Sequence, residues 1–128
     1  TGNAWSLIVQ GGRLRGFYYR SSTNLAVDAT SPGLVSDGYW HHAALTVDAS
    51  GGKLFLDGVV VGSSAWTGPV CPMTLPDPLQ IGKYFNYTTP FMGVIDEVTV
   101  WNRALTASEI VAMKNVPLAG SESGLVTS

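Results

Sequence analysis

Three groups of residues in this 128-residue chain could do chemistry: a histidine pair, a carboxylate pair and a set of loop aromatics. His41 and His42 are its two histidines, and Asp96-Glu97 is its one run of adjacent acidic residues. Both pairs lie in stretches of strand-like sequence. Because successive strand residues point to opposite faces of a sheet, neither pair can act together on one ligand.

Catalysis gains no support from these pairs. Retaining glycoside hydrolysis needs two carboxyl groups about 5 Å apart, which Asp96 and Glu97 cannot provide, and no other acidic residue lies two or four positions from either one. A zinc site would need another histidine or cysteine in a suitable place, and no spacing indicates a histidine-activated nucleophile. We therefore expect a protein that is not an enzyme, with His42 packed and hydrogen-bonded and His41 near the surface.

The aromatic residues are better candidates for a binding site. Residues 83–90, KYFNYTTP, form a loop rich in aromatic and polar side chains, and Trp66 lies in the long irregular stretch 63–78. Sugars present both C–H faces and hydroxyls, which flat rings and nearby amides can contact, and loops on a rigid sheet often carry function. The alternative is ordinary core or loop packing of these aromatics. The predicted ligand-binding residues are Trp66, Tyr84, Asn86 and Tyr87.

Short strands joined by tight turns must position these residues. Asp57-Gly58 is typical of a type I′ hairpin turn, and Gly51-Gly52 is expected to turn the preceding hairpin. Thr106 and Glu109 form a capping box that starts a helix ending near Met113. Trp5, Trp40 and Trp101 are expected in the core. The predicted strands are Trp5–Val9, Arg13–Arg20, Asn24–Asp28, Tyr39–Asp48, Lys53–Leu56, Val59–Gly62, Leu79–Lys83 and Phe91–Asn102.

This order predicts an all-β fold, an antiparallel two-sheet β-sandwich with one short C-terminal helix. Charged residues make up only 12% of the chain, beside 15 glycines and seven prolines, which favours a turn-rich extracellular domain. A net charge of −2 gives no case for nucleic acid. No apolar run approaches the roughly 20 residues needed for membrane insertion.

Cys71 is the single cysteine, so an intrachain disulfide is excluded. It lies in the proline-rich loop GPVCPMTLP. Two roles are open: a semi-buried structural thiol, or an intermolecular disulfide or reactive thiol. Cysteine usage therefore leaves the redox compartment undecided.

Four segments carry a family resemblance. They are DGYWHHAALTVD at 37–48, KLFLDGVVVG at 53–62, LQIGKY at 79–84 and FMGVIDEVTVWNRALTASEI at 91–110. In order and spacing they resemble the laminin-G-like, concanavalin A-type jelly-roll family over roughly residues 5–114. The resemblance implies a jelly roll acting as a non-catalytic, secreted or cell-surface module that recognises a carbohydrate or an extracellular protein.

Many members of the resembled family bind a structural calcium ion, and the resemblance makes Asp96 a candidate ligand. The competing interpretation starts from the strand pattern, which places Asp96 on one face with Val94, Val98 and Val100. A carboxylate on an apolar face needs a partner. Arg103, a histidine or backbone amides could each supply it.

One departure from the family concerns the amino-terminal strands. Trp5–Arg20 already resembles a later family segment, so the opening strands are expected to be absent. We expect a domain over 1–116 and a linker or tail over 117–128, as a piece of a larger multidomain protein. A missing strand would expose a sheet edge. The alternative function is therefore a structural or assembly repeat that self-associates through that edge.

Overall fold

A sandwich of two small antiparallel sheets forms most of the fold. A computed structural model describes residues 5–21, 23–70, 78–83 and 89–127. The first sheet is a meander in the order β1-β2-β3, formed by β1 (Trp5–Gln10), β2 (Arg13–Ser21) and β3 (Asn24–Thr30). The second sheet is also a meander, in the order β4-β5-β6, formed by β4 (Ala43–Asp48), β5 (Gly51–Leu56) and β6 (Val59–Ala65). Predicted and observed strands agree closely in this half of the chain.

The two hairpin turns of the second sheet show which local signals were sufficient. Asp57 and Gly58 have φ values of 54° and 85°, as a type I′ turn requires. The turn expected at Gly51-Gly52 lies instead at Ala49-Ser50, and both glycines belong to β5. The cause is Asp48, whose Oδ1 accepts a hydrogen bond of 2.7 Å from the Ser50 amide and thereby closes the chain early.

The first strand of this sheet is shorter than predicted. β4 begins at Ala43, and residues 39–42 lie outside any strand. Asp37 accepts a 3.0 Å hydrogen bond from the Tyr39 amide, and Gly38 has a φ of 87°. This side chain-to-backbone turn replaces a ladder bond and delays the strand.

The two sheets pack face to face through β2 and β3 on one side and β5 and β6 on the other. Val27 and Leu54 are fully buried between them, and each contributes roughly 1.5–3 kcal/mol through burial. Two glycines of the second sheet allow the close approach. A Cβ on Gly62 would lie 2.4 Å from the Ala29 Cβ, and one on Gly52 would lie 2.3 Å from Val27 Cγ2. The buried apolar residues in the described part of the chain are Leu14, Phe17, Tyr18, Val27, Leu54, Phe55 and Ile110.

The carboxy-terminal part has less regular structure than predicted. It holds β7 (Val100–Trp101), α1 (Ala107–Met113) and β8 (Leu125–Thr127), and β7 pairs with β8. The strands predicted at Leu79–Lys83 and Phe91–Asn102 are wrong in extent, because only a Lys83–Pro90 bridge and β7 form there. A strand needs a neighbour to receive its backbone hydrogen bonds, and alternation of side chains cannot show whether one exists. β8 lies within the stretch expected to be linker.

The helix agrees with its sequence signal. Thr106 is the N-cap, and its hydroxyl accepts from the Glu109 amide while the Glu109 carboxylate accepts from the Thr106 amide. Arg103 adds a two-pronged ion pair to Glu109, with contacts of 2.8 and 3.0 Å. Hydrogen bonds from Arg103 and Thr106 lower the pKa of Glu109 to about 2. Within the described residues no helix has the length and apolar character to cross a membrane.

The tryptophans expected in the core are more exposed than predicted. Trp40 is 70% exposed and Trp5 is 37% exposed, while Trp101 is half-buried with its indole N–H donated to Thr99 Oγ1 at 3.0 Å. Trp40 lies in the segment that does not join β4, and Trp5 lies on the edge strand β1. Position in a strand-like sequence therefore did not ensure burial.

Replacing Gly62 by alanine should destabilise the sandwich. The added methyl group would overlap Ala29, which has no rotamer through which to move away, so we expect a loss of roughly 1–3 kcal/mol. Gly33→Ala is the matched control, since a Cβ added there would meet no atom within 4 Å. Urea denaturation checks both variants, and equal stability of the two would contradict close sheet packing at Gly62.

Candidate functional site

The candidate binding residue Trp66 follows directly after β6 and packs against β2. Its ring stacks on Tyr18 with 6.0 Å between ring centroids and 29° between planes. The Arg20 guanidinium lies 5.6 Å from the Trp66 ring centroid and also donates a 3.0 Å hydrogen bond to the Pro69 carbonyl. We call Tyr18, Arg20 and Trp66 the Trp66 cluster. It joins the first sheet to the irregular segment after β6.

The Trp66 cluster holds two buried donors without acceptors. The indole Nε1 of Trp66 and the Nε of Arg20 are both buried and find no hydrogen-bond partner. A buried donor left unpaired costs free energy, and such groups commonly mark a site completed by something else. The cluster therefore offers a ring face already covered by Tyr18, and two N–H groups that would favour an oxygen acceptor.

Sequence reasoning identified Trp66 but missed Arg20. The signal was present, because Arg20 lies two positions after Tyr18 and strand alternation places both on one face. Tyr18 is buried at 2% exposure and serves the core as well as the cluster. The other predicted ligand-binding residues, Tyr84, Asn86 and Tyr87, lie outside the described residues, as does Cys71.

The histidine pair forms a second polar cluster. The His41 ring contacts Asp57 Oδ2 through Nδ1 at 2.8 Å and Asp37 Oδ1 through Nε2 at 3.1 Å. Asp57 also accepts a 2.9 Å hydrogen bond from the His42 amide through its other carboxylate oxygen. His41 thus ties the segment before β4 to the β5–β6 turn. We call His41, Asp37 and Asp57 the His41 clasp.

The two histidines differ in protonation. Hydrogen bonds to Asp57 and Asp37 raise the pKa of His41, whereas burial lowers the pKa of His42. The amide of Tyr39 and the ring of His41 lower the pKa of Asp37. Burial would raise the pKa of Asp57, but hydrogen bonds from His41 and the His42 amide outweigh it and lower the pKa. The clasp therefore favours a charged His41 between two carboxylates.

The predicted roles of the histidines were partly reversed. His41 was expected near the surface, yet its side chain is 21% exposed and both ring nitrogens are engaged. His42 is half-buried as expected, but its ring Nδ1 is buried without a partner. The relevant signal for His41 was Asp57, because the β4–β5 register brings this turn residue beside the start of β4.

Asp96 lies on an exposed, irregular stretch of chain and not on a strand face. Its Oδ1 accepts a 2.8 Å hydrogen bond from the Glu97 amide, as the backbone-amide alternative predicts. The predicted partnership with Arg103 is wrong, because that guanidinium pairs with Glu109. Across the part of the chain that the structure describes, no three His, Cys, Asp or Glu side chains form a group that could hold a metal ion.

The fold and the two clusters define a class of small antiparallel β-sandwiches with aromatic and polar groups at the sheet boundaries. A family profile described as the concanavalin A-like lectin/glucanases superfamily matches residues 1–111. The chain belongs to this superfamily. The family resemblance found in the four sequence segments is thereby confirmed.

Curated relatives include the neuronal pentraxins. Human neuronal pentraxin-2 is 32% identical over 96 residues, which is 68% of this chain and 22% of the relative. Human neuronal pentraxin-1 is 29% identical over 91 residues, covering 64% of this chain and 21% of the relative. The chain thus spans about a fifth of the length of these curated relatives.

A solved structure supports the fold. An S-layer domain-containing protein from Clostridium thermocellum superimposes with a TM-score of 0.52 at 21% identity. The match covers 87% of this chain and 62% of the other. At this level of identity the likeness shows a shared fold, and it confirms the β-sandwich prediction.

The His41 clasp should make stability depend on pH in a defined direction. Because folding raises the pKa of His41, its stabilisation is complete below the ordinary value of 6.5 and is lost as pH rises through the folded value. His42 has a lowered pKa, so its contribution has the opposite sign and is lost as pH falls below 6.5. On the acid side, the lowered pKa values of Asp37 and Asp57 place their loss below 3.8.

Thermal unfolding of His41→Gln and His42→Gln at pH 5.5, 7 and 8.5 measures this difference. The advantage of the wild type over His41→Gln should shrink towards high pH, by roughly 1–3 °C for a pair this exposed. The His42→Gln comparison should change in the opposite direction. Parallel pH profiles for wild type and His41→Gln would show that the clasp carries no charge-dependent stabilisation.

Proposed function

We propose that this chain is a non-catalytic binding module of an extracellular or cell-surface protein, and that it recognises a glycan or a protein surface. Membership of the superfamily supports a binding domain, and the curated relatives belong to the same type. Asp37 and Asp57, two carboxylates that the fold brings near each other, are both engaged by His41, which agrees with a module that binds without catalysis. The observation that carries the proposal is the pair of unpaired buried donors in the Trp66 cluster.

The chemistry of the cluster suits an oxygen-rich ligand. Indole and guanidinium N–H groups donate hydrogen bonds to hydroxyl or carboxylate oxygens, and neither group can accept one. Trp66 precedes the segment 67–70, to which Arg20 is tied through Pro69. A loop held on a rigid sheet in this way is a common location for ligand contacts. Tyr84, Asn86 and Tyr87 would extend the same site with further aromatic and amide groups.

A glycan-array screen with purified variants tests the proposal. Trp66→Phe keeps an aromatic ring against Tyr18 but removes the indole N–H, so we expect binding to weaken roughly tenfold. Asn86→Ala and Tyr87→Ala should weaken it as well. Trp40→Ala is the matched control, because Trp40 is exposed and lies outside the cluster.

A different outcome would favour the assembly alternative. Residues 91–98 expose several apolar side chains, including Met92 at 88% and Val94 at 72%, and β1 is an edge strand. Sedimentation velocity on the same samples reports self-association. Concentration-dependent assembly, together with no reproducible glycan or protein ligand, would replace the binding proposal with an assembly repeat.

We also propose a structural calcium ion at Asp96. Calcium takes six to eight oxygen donors and readily uses backbone carbonyls beside a carboxylate. Asp96 is exposed, with Oδ1 engaged by the Glu97 amide. The other donors would have to be carbonyls or residues outside the described part, since no acidic group of three forms within it.

Calcium addition should raise the unfolding temperature if this ion binds the folded chain. The stabilisation grows with the ratio of free calcium to the dissociation constant, so a titration by differential scanning fluorimetry shows it directly. Asp96→Asn should abolish the increase, while Asp48→Asn should preserve it. An unfolding temperature that is insensitive to calcium in the wild type would exclude the ion.

A further inference from the structure

An open cavity of about 340 Å³ lies on the outer face of the second sheet and has no role in the function proposed above. Its volume falls at the small end of ligand pockets, which run from roughly 300 to 1,000 Å³. Strand alternation fixes the face. Gly52 and Leu54 point to the first sheet, so Lys53 between them points outwards. The segment 104–107, which leads into α1, lines the same cavity and forms its wall.

The floor of the cavity is a row of polar side chains across three strands. The sheet register pairs Thr46 with Lys53 and Lys53 with Ser63, so an ammonium group is flanked by two hydroxyls. Asp48 and Ser64 lie one row further along and also line the cavity. The cation and the carboxylate therefore occupy different rows of one small pocket.

The other side of the cavity is apolar. Phe55 lies on the same face as Lys53 and is only 1% exposed, and Leu105 and two alanines of the 104–107 segment line the pocket near it. A surface with one apolar side and one hydroxyl-rich side matches a sugar ring, which presents C–H groups on its faces and hydroxyls at its rim.

The charges select among sugars. Among the residues that the structure describes, Lys53 forms no ion pair within 4.0 Å. Asp48 already accepts hydrogen bonds from the amide and hydroxyl of Ser50, at 2.7 and 2.6 Å, which keep it ionised and in place. An anionic group on a ligand would therefore be drawn to Lys53, while Asp48 would accept from neutral hydroxyls.

We propose that this cavity binds a sugar ring carrying a carboxylate, such as a hexuronate. The ammonium of Lys53 receives the carboxylate, and the hydroxyls of Thr46 and Ser63 and the carboxylate of Asp48 bind the ring hydroxyls. The ring face packs towards Phe55 and Leu105. Gly52, whose absent Cβ would point at Val27 and Trp66, shows that the Trp66 cluster lies on the opposite face of this sheet. The two sites are therefore independent.

Titration of the isotope-labelled chain with D-glucuronate, followed by amide chemical shifts, tests the proposal. We expect shifts centred on residues 46, 53, 63–64 and 104–106. D-glucose, which lacks the carboxylate, and acetate, which lacks the ring, should each bind at least tenfold more weakly. Lys53→Gln should weaken glucuronate binding roughly tenfold or more, because it removes a charge-assisted hydrogen bond. Ser63→Ala should weaken it by a smaller factor.

Lys83→Gln is the matched control, since Lys83 is exposed and does not line this cavity. The proposal is overturned if glucuronate shifts no amides around the cavity, if acetate binds as well as glucuronate, or if Lys53→Gln and Lys83→Gln behave alike. None of the substituted residues belongs to the Trp66 cluster. A failure here therefore leaves the array experiment on Trp66→Phe unaffected, and the reverse also holds.

Discussion

The close approach of two small sheets is the constraint on which the rest of this structure depends. Where Gly62 meets Ala29 and Gly52 meets Val27, the backbone of one sheet lies against side chains of the other, with no room for a methyl group between them. The same absence of a side chain at Gly52 leaves space for the Trp66 ring, whose Cη2 would lie 3.2 Å from a Cβ there. Packing of the core and placement of the Trp66 cluster are therefore one physical event, and the outer face of the second sheet is left to the cavity around Lys53.

Local chemistry accounts for the elements that the sequence predicted correctly. The Asp57-Gly58 turn and the capping box of Thr106 and Glu109 depend on residues within four positions of each other, so their patterns are readable without tertiary information. The alternation in β2 likewise indicated which side chains face the second sheet. Such signals specify a conformation that the chain adopts with its immediate neighbours.

Features that depend on a partner strand or on a distant side chain were harder to predict. The stretch 91–99 alternates like a strand, but no described segment receives its backbone hydrogen bonds, and it remains irregular. His41 binds Asp57 only because the register of β4 and β5 brings a turn beside it. Arg20 was overlooked because its importance lies in a contact with Trp66, 46 positions away in the numbering. Periodicity states which face a residue occupies and does not state what lies opposite that face.

Asp57 concentrates three separate demands on one residue. Its backbone adopts a left-handed φ of 54°, one carboxylate oxygen holds the His42 amide, and the other holds the His41 ring. Asparagine also tolerates the left-handed region and keeps one oxygen acceptor, but it carries no negative charge. Exchange of aspartate for asparagine at this position would therefore separate conformation from charge. The hairpin would keep its shape, while the second sheet would lose its electrostatic hold on the segment that leads into it.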